Sequence, residues 1–307
     1  MRNTPGRSMF VRLSGPDSGP GAAGRWSDAA SAEHGDLLDV IRESCGLVEF
    51  REVAEEARRF LALPRAEPTA APRPPAPQRS PEAARRLWAM AKPPAGTLAE
   101  AYLHSRGIND LRGCEALRFH PHCWYRGDDD DPRDQARDAW PALIAAVTAL
   151  DGAMTGAHRT WLDPASARKA PISTPRRAMG LLLGNAVRFG RAVDVMVAGE
   201  GLETILSLWQ AMPSMPAAAA LSANHLAALE LPAGLRRLYL ARDNDPAGRC
   251  AVETLADRAR AAGVEALTLV PALDDFNEDL RRLGSEVLRT GLCVQLAPDD
   301  RPRVRST

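Results

Sequence analysis

The sequence predicts an α/β protein whose carboxyl-terminal part is a parallel sheet flanked by helices. Beyond residue 192, short apolar runs alternate with helical segments, which is typical of a parallel sheet with crossover helices. Ahead of it, helices followed by a strand hairpin predict a smaller α+β domain, and the start of the chain predicts a further α+β module. We expect a small module at 1–63, a linker at 64–81, a middle domain at 82–191, the parallel-sheet domain at 192–297 and a tail at 298–307.

The overall charge gives no sign of a global attraction to nucleic acid or to a membrane. The 307 residues include 39 lysines and arginines and 39 aspartates and glutamates, so any electrostatic argument must be local. No apolar run reaches the roughly 18 residues that a membrane-spanning helix needs. An odd number of irregularly spaced cysteines indicates reduced thiols and a cytoplasmic protein: Cys45, Cys114, Cys123, Cys250 and Cys293.

The amino-terminal module combines short strands with two helices. Residues Ser8–Leu13 and Gly24–Asp28 flank a loop rich in glycine and proline, and each is predicted to be a strand. A helix is predicted to open within His34–Ile41, and a second covers Leu47–Leu63, where apolar residues recur at helical spacing. Between Pro64 and Pro81, seven prolines exclude a helix and a central strand, so this segment is predicted to be an extended spacer.

The middle domain is predicted to contain two helices and an antiparallel hairpin. One helix covers Glu82–Ala91. Thr97 and Glu100 then have capping-box spacing, in which Thr97 accepts from the amide three residues on while Glu100 reaches back. The predicted strands are Leu117–His120 and the hairpin pair Ala142–Leu150 and Gly156–Leu162.

A locally basic stretch precedes the parallel-sheet domain. From residue 159 to 191, seven basic side chains accompany a single acid, Asp163, in a segment with little helical periodicity. Local basicity of this kind suits contact with phosphate groups. A solvated loop that balances the acidic segments explains the composition equally well, and both interpretations stay open. The basic residues are Arg159, Arg168, Lys169, Arg176, Arg177, Arg188 and Arg191.

The parallel-sheet domain is predicted from regular alternation of strands and helices. After the last strand come acidic residues and a short helix, and Pro298–Thr307 is predicted to be a frayed tail. The predicted strands are Val193–Ala198, Ala217–Leu221, Leu238–Ala241 and Ala266–Val270, and the helices between them are Leu202–Met212, Asn224–Leu231 and a long helix ending at Gly263.

Acidic residues follow two of these strands. Glu200 comes after the first strand, and Asp243 and Asp245 come after the third. The carboxyl ends of parallel strands share one edge of the sheet, where open α/β folds hold ligands. Clustered carboxylates there favour Mg²⁺ or Mn²⁺, which neutralise phosphate oxygens. Helix capping is the competing interpretation, because Asp245 precedes Pro246 and Glu200 also stands before a helix.

The residues around these acids resemble the Toprim domain, which is shared by bacterial-type primases, topoisomerases and some nucleases. The match is closest to Toprim primase-like proteins of plasmids, phages and integrated conjugative elements. The resemblance implies that Glu200 is an acid/base or metal ligand and that Asp243 and Asp245 bind Mg²⁺. Asp275 and Asp279 are further candidate metal ligands in what resembles the third acidic motif. The resemblance is carried by Val195–Gly201 with Leu202-Glu203-Thr204, by Leu238–Arg249 and by Asp275–Asp279.

The resemblance extends to the amino-terminal parts. Gly24–Asp28 and His34–Asp39 resemble the end of the zinc-finger module that precedes such primases, while His158–Asp163 and Lys169–Pro171 resemble their middle domain. The zinc-binding cysteines of that module would lie ahead of Asn3. Residues 1–63 are therefore interpreted as a truncated remnant, unless the gene start is misplaced.

Zinc is not an expected cofactor of this chain. Residues His120–Cys123, with Cys114 nearby, supply suitable ligand types. They lack the paired Cys-x₂-Cys spacing of a structural zinc site, so we interpret them as ordinary residues at a strand end.

The resemblance implies a DNA primase-like nucleotidyltransferase that synthesises short primers on single-stranded DNA. Mg²⁺ (or Mn²⁺) on Asp243 and Asp245 would bind the nucleoside triphosphate, and Glu200 would assist deprotonation of the primer 3′-hydroxyl or hold a second metal. A replicative helicase is an open candidate partner, and no membrane is expected. The rival functions are a Toprim nuclease or phosphoesterase and a non-catalytic module that binds DNA or a helicase. Phosphates or template would be held by Arg159, Arg168, Lys169, Arg176, Arg177 and Arg249.

Overall fold

The computed structural model describes residues 9–14, 23–28, 34–47, 49–60, 81–127, 139–244 and 246–304. Most of the predicted proline-rich spacer, residues 64–80, lies outside these ranges. The chain divides into two compact units, Met1–Pro75 and Ala76–Thr307. Within the described ranges, no helix is both long and apolar enough to cross a bilayer.

The first unit holds a small antiparallel sheet and two helices. Asp36 caps the first helix by accepting from the amides of Leu38 and Asp39, and the Asp39 side chain accepts from the Asp36 amide in return. This capping box fixes where the helix begins, so His34–Gly35 pairs with Trp26 as a strand, which corrects the predicted helix start. The elements are strands β1 (Met9–Val11), β2 (Trp26–Asp28) and β3 (His34–Gly35) and helices α1 (Leu37–Cys45) and α2 (Phe50–Phe60).

The second unit begins with two helices and an antiparallel sheet. The helices are α3 (Pro81–Met90) and α4 (Leu98–Ser105), and the strands are β4 (Leu117–Trp124), β5 (Ala139–Thr148), β6 (Met154–Asp163), β7 (Arg168–Lys169) and β8 (Arg176–Gly180). β5 and β6 form the predicted hairpin. The strand order is β4-β5-β6-β7, and β8 also pairs with β6. We call these strands the middle sheet.

The cap of α4 differs from the predicted capping box. Thr97 accepts from the Ala99 amide at 3.2 Å, and Glu100 accepts from the Gly96 amide at 2.7 Å. The Thr97 amide donates to the Pro94 carbonyl at 3.1 Å, so Glu100 bonds the preceding amide instead. Both predicted side chains cap the helix, but each accepts from the amide one residue before the predicted one.

Two segments form more strand than predicted. β4 continues to Trp124 beyond the expected end at His120, because a register shift between His120 and Cys123 accommodates Pro121, which has no N–H for the ladder. The basic stretch contributes β7, β8 and β9 (Val187–Phe189), so its interpretation as an irregular solvated loop is wrong there. Strands of two to five residues are too short to show a clear periodic pattern.

The parallel-sheet domain follows, and the mixed α/β fold class is confirmed. Its elements are β10 (Val195–Gly199), α5 (Leu202–Ala211), β11 (Ala217–Ala219), α6 (Ala223–Ala227), β12 (Arg237–Ala241), α7 (Pro246–Ala261), β13 (Glu265–Leu269), α8 (Phe276–Leu283) and α9 (Ser285–Gln295). The strand order is β13-β12-β10-β11-β9. β10 to β13 pair in parallel, and β9 adds an antiparallel edge.

Both faces of the parallel sheet are covered. Every residue of β10 and β12 is buried. Val195 and Val197 pack in the cluster that includes α5 and α9, whereas Met196 and Ala198 pack in a second cluster with α6 and α7. Successive side chains of a strand point to opposite faces, so burial on both faces makes the strand a continuous apolar run in the sequence.

The segment after α9 packs against the sheet, which corrects the predicted frayed tail. Pro298–Arg303 forms a 3₁₀ helix in which Asp300 is 1% exposed. Its carboxylate accepts from Arg237 Nη1 at 2.5 Å and from the Tyr239 hydroxyl at 2.8 Å. Both partners belong to β12, so the buried carboxylate fixes this segment to the sheet.

Candidate active site

Two acidic residues follow neighbouring strands at the carboxyl edge of the parallel sheet. β10 ends at Gly199, β12 ends at Ala241, and these two residues pair directly in the ladder. Glu200 is the first residue beyond one strand, and Asp243 is the second residue beyond the other. The topology therefore brings Glu200 and Asp243 to one edge, while Asp245 lies outside the described residues.

The backbone around Glu200 is fixed by its neighbours. The carbonyl of Glu200 accepts from the Leu221 amide at 2.8 Å. Gly201, and not Glu200, is the N-cap residue of α5, and it provides no side-chain cap. A Cβ atom at Gly201 would lie 2.8 Å from Thr204 Oγ1, so a larger residue here would displace the Thr204 side chain. Glu200 thus does not hold the capping position that the competing interpretation gave it.

Leu221 lines the same edge in a strained conformation. Its φ of 75° lies in the left-handed region, which costs a bulky residue about 1–3 kcal/mol. The hydrogen bond to the Glu200 carbonyl holds this conformation. The next residue, Ser222, caps α6 by accepting from the His225 amide at 3.3 Å. Strain of this kind concentrates at functional sites.

A hydrogen-bonded loop supports the Asp243 segment. The Asn244 amide donates to the Asp274 carbonyl at 2.9 Å, and the Asn244 side chain donates to the Leu273 carbonyl at 2.5 Å. Asp279, only 4% exposed, accepts from the amides of Ala272 and Leu273 at 2.8 Å each. Asp279 therefore holds the loop against which the Asp243 segment rests.

The third acidic motif is largely engaged in local structure. Asp275 is the N-cap residue of α8 and accepts from the Glu278 amide at 2.7 Å. Both oxygens of Asp279 accept from backbone amides. Asp275 and Asp279 thus serve as acceptors for backbone amides in this loop, and their role as metal ligands stays a prediction.

A pocket of about 240 Å³ lies between the middle sheet and the edge of the parallel sheet. Arg176 and Arg177 of β8 line it together with Glu200, so positive charge stands beside the acidic edge. Because anions bind where positive groups converge, the pocket suits a phosphate group held near a carboxylate. The remaining lining residues are His158, Ala178, Gly201, Leu202, Glu203, Leu221, Ser222 and His225.

Glu203 is a buried acid in the wall of this pocket. It is 7% exposed, accepts from the Tyr102 hydroxyl and lies 3.4 Å from Lys169 Nζ. Burial alone would raise the pKa of Glu203, but the Lys169 ammonium and the Tyr102 hydroxyl outweigh it and hold the pKa below its ordinary range. Burial also lowers the pKa of His158 to about 4, so this ring is neutral near pH 7.

The predicted phosphate-binding residues lie in different settings. Arg159 and Arg177 are direct cross-strand partners, and each guanidinium stacks on a ring, Trp161 at 4.8 Å and Tyr125 at 5.1 Å. Arg177 also donates to the Arg126 carbonyl at 2.5 Å. Lys169, Arg176 and Arg177 lie in or beside the pocket, whereas the exposed Arg168 and Arg249 are not among its described lining residues.

Sequence reasoning missed Glu203 and Tyr102 as members of the site. Glu203 carried a signal, because it is the only ionisable residue in the α5 sequence Leu202–Ala211, which indicates a charge held inside the fold. Tyr102 carried none, since it meets Glu203 across 101 positions of sequence.

Two family models match the chain. Residues 195–286 match the Toprim domain, and residues 78–189 match a domain of unknown function, DUF7146. No curated protein matches the chain.

Similar solved structures include primases from two bacteria and a phage. The Aquifex aeolicus primase (zinc-binding and RNA polymerase domains) is 15% identical with a TM-score of 0.48, and the match covers 94% of this chain and 79% of that one. A DNA primase domain from Pseudomonas aeruginosa is 18% identical with a TM-score of 0.47, covering 70% and 77%. The primase fragment of the bacteriophage T7 primase-helicase is 15% identical with a TM-score of 0.44, covering 62% and 72%.

The Toprim match contains the strands and the acidic edge described above. It begins with the first residue of β10 and includes Glu200 and Asp243. The resemblance to the Toprim domain is therefore confirmed, and residues 195–286 form a Toprim domain.

Proposed function

We propose that this protein is a DNA primase-like nucleotidyltransferase that joins nucleoside triphosphates into short primers on single-stranded DNA. The observation that carries the proposal is the pocket that Glu200, at the Toprim sheet edge, shares with Arg176 and Arg177. A carboxylate beside two guanidinium groups can take a proton from a hydroxyl while the arginines bind phosphate oxygens. The Toprim family match supports a reaction at a phosphorus centre.

The donor set fits Mg²⁺ or Mn²⁺. Asp243 supplies a hard carboxylate oxygen at this edge, the ligand type that these ions prefer, and we propose that Asp245 is its partner in holding the ion. Among the described residues, which exclude Asp245, no three His, Cys, Asp or Glu side chains are grouped for metal binding. When bound, the metal would supply neutralisation of phosphate charge and a lower pKa for the attacking hydroxyl.

The side chains of the pocket perform the remaining work of nucleotidyl transfer. The 3′-hydroxyl oxygen of the primer bonds to the α-phosphorus, the bond from that phosphorus to pyrophosphate breaks, and the hydroxyl loses its proton. We assign this proton to the Glu200 carboxylate. Lys169, Arg176 and Arg177 hold the triphosphate oxygens through charge-assisted hydrogen bonds. The template backbone is assigned to Arg159, Arg168 and Arg249.

The proposed setting is replication of a mobile element in the cytoplasm. All five cysteines are free thiols, which suits a reducing compartment. Single-stranded DNA and nucleoside triphosphates are the proposed partners, and a replicative helicase would expose the template.

The test is synthesis of labelled short RNA on single-stranded DNA in the presence of Mg²⁺. The wild-type protein should make primers. Asp243→Asn combined with Asp245→Asn should lower synthesis by roughly 100-fold or more, because charge developing at the phosphate loses its compensation. Asp257→Asn is the matched control, since this exposed carboxylate of α7 forms an ion pair with Arg260 away from the sheet edge's acids, and it should behave like the wild type.

Each other result has a definite meaning. Wild-type synthesis by the double aspartate variant would overturn the metal assignment. Degradation of the labelled DNA without primer formation would identify a nuclease. Salt-dependent binding to single-stranded DNA without turnover of any nucleotide would identify a non-catalytic module.

A further inference from the structure

A buried carboxylate with no part in the proposed reaction joins the middle sheet to the Toprim domain. Glu203 lies in the first turn of α5 and lines the same pocket as Glu200. Its Oε1 atom accepts from the Tyr102 hydroxyl of α4 and lies 3.4 Å from Lys169 Nζ of β7. A buried carboxylate is costly unless it is paired, so these two partners account for how the fold tolerates it.

Lys169 is one of only two lysines in a sequence that otherwise uses arginine for its basic residues. Lysine occurs only at positions 92 and 169, so arginine supplies 37 of the 39 basic side chains. An ammonium group is compact and can lose its proton when buried, whereas a guanidinium is planar and stays charged. The lysine at 169 therefore places a small, titratable cation against Glu203.

The surroundings of Lys169 oppose its charge, and Glu203 compensates. The Lys169 side chain is 30% exposed, and burial lowers its pKa. Arg176 of β8 and Arg106 after α4 lower the pKa further, whereas the Glu203 carboxylate raises it. The other titratable groups facing the cluster are neutral, because burial lowers the pKa of His158 and raises that of Tyr102.

We propose that Glu203, oriented by the Tyr102 hydroxyl, is a positioning residue that keeps the Lys169 ammonium charged and beside the pocket, where it binds the phosphate groups of the nucleotide. This inference rests on the proposed function, since the lysine meets phosphate only if the pocket accepts a nucleotide. Without the carboxylate, two arginines and partial burial would favour the neutral amine. The middle sheet and the Toprim domain thus share one electrostatic unit.

The first test is the pH dependence of primer synthesis. Wild-type activity should fall on the alkaline side as Lys169 loses its proton. In Glu203→Gln this decline should move to lower pH by about one unit or more, because the group that favours the ammonium is gone. The Lys169→Arg variant should be slower than the wild type but should lack this alkaline decline. In the double variant with Lys169→Arg and Glu203→Gln, the shift caused by Glu203→Gln should be absent. Glu286→Gln, an exposed ion-pair partner of Arg289, should leave the profile unchanged.

The second test reads the ammonium directly and does not need activity. With ¹³C-labelled lysine, NMR should show two side-chain signals, one for each lysine of the chain. Glu203→Gln should lower the titration midpoint of Lys169 by about one pH unit or more and leave that of Lys92 unchanged. If Glu203→Gln does not fold, Glu203→Asp keeps the charge but withdraws it from the amine, and should give a smaller shift in the same direction.

The outcomes separate this inference from the proposed function. If Glu203→Gln folds and the titration midpoint of Lys169 is unchanged, the inference is overturned. A loss of rate that is the same at every pH, with the alkaline decline at the wild-type pH, would also overturn it. A shifted midpoint in a protein that makes no primers would support the electrostatic unit and refute the proposed function. If Glu203→Gln makes primers and Lys169 titrates as in the wild type, the proposed function is supported and Glu203 has no positioning role in it.

Discussion

Replacing Asp300 by Asn should destabilise the second unit strongly, although the residue lies close to the carboxyl terminus. Asp300 is 1% exposed and accepts from Arg237 Nη1 at 2.5 Å and the Tyr239 hydroxyl at 2.8 Å. Breaking a buried ion pair costs about 3–5 kcal/mol because the other charge is left uncompensated. In the variant, Arg237 still donates to the Glu265 carboxylate at 2.6 Å, so part of its charge stays compensated. We therefore expect a loss of stability at the lower end of this range, about 3 kcal/mol. For a unit of this size, that loss lowers Tm by roughly 6–12 °C.

The pH dependence of this loss has a defined sign. Burial tends to raise the pKa of Asp300, but hydrogen bonds from Arg237 and Tyr239 outweigh burial and lower it. A carboxyl group with a lowered pKa stabilises the fold above its unfolded pKa, and this contribution is lost as the pH falls through the folded pKa. The difference in the free energy of unfolding between the wild type and Asp300→Asn should therefore be largest at neutral pH and should decrease in acid.

Urea unfolding followed by tryptophan fluorescence at a series of pH values measures both effects. The neighbouring Asp299 is exposed, so Asp299→Asn is a matched control that should stay within about 0.5 kcal/mol of wild type. If Asp300→Asn also stayed within that range at neutral pH, or if its deficit did not narrow in acid, the proposed anchoring of this segment would be refuted.

Two further predictions concern the site. Asp279→Asn should lower kcat for primer synthesis by roughly 10- to 100-fold with little change in KM, because the loop that supports Asn244 loses an acceptor and the acidic edge shifts. Steady-state kinetics, with circular dichroism to show that the fold is unaltered, would check this. A rise in KM as large as the fall in kcat would contradict it. Arg176→Gln and Arg177→Gln should each raise KM for the nucleoside triphosphate by roughly 10-fold, since each removes a charge-assisted hydrogen bond; an unchanged KM in both variants would remove β8 from the nucleotide site.

The positions of the acidic residues at the sheet edge could be predicted because the determining signals are local. β10 and β12 are buried on both faces, so each is a continuous apolar run in the sequence. The residue that follows such a run in a parallel sheet must lie at the carboxyl edge, which fixes where Glu200 and Asp243 stand. No knowledge of distant contacts is needed for that step.

The contacts that the sequence did not reveal depend on residues far apart in the chain. Glu203 meets Tyr102 across 101 positions, and Asp300 meets Arg237 across 63. No periodicity or spacing rule links such partners, so the sequence assigns no role to Glu203 and predicts a frayed tail where the Asp300 segment packs against the sheet. Short strands gave the other error, because β7 contains only two residues. The part of the predicted metal site at Asp245 lies outside the described residues and stays a prediction.

The central claim is that the Glu200 carboxylate at the Toprim edge takes part in nucleotidyl transfer, and Glu200→Gln tests it most directly. Glutamine has nearly the same shape but cannot accept the proton of the attacking hydroxyl as a carboxylate does. In the primer assay on single-stranded DNA, the variant should fold normally and lose roughly 100-fold or more of the wild-type rate. Primer synthesis by Glu200→Gln at the wild-type rate would contradict the claim.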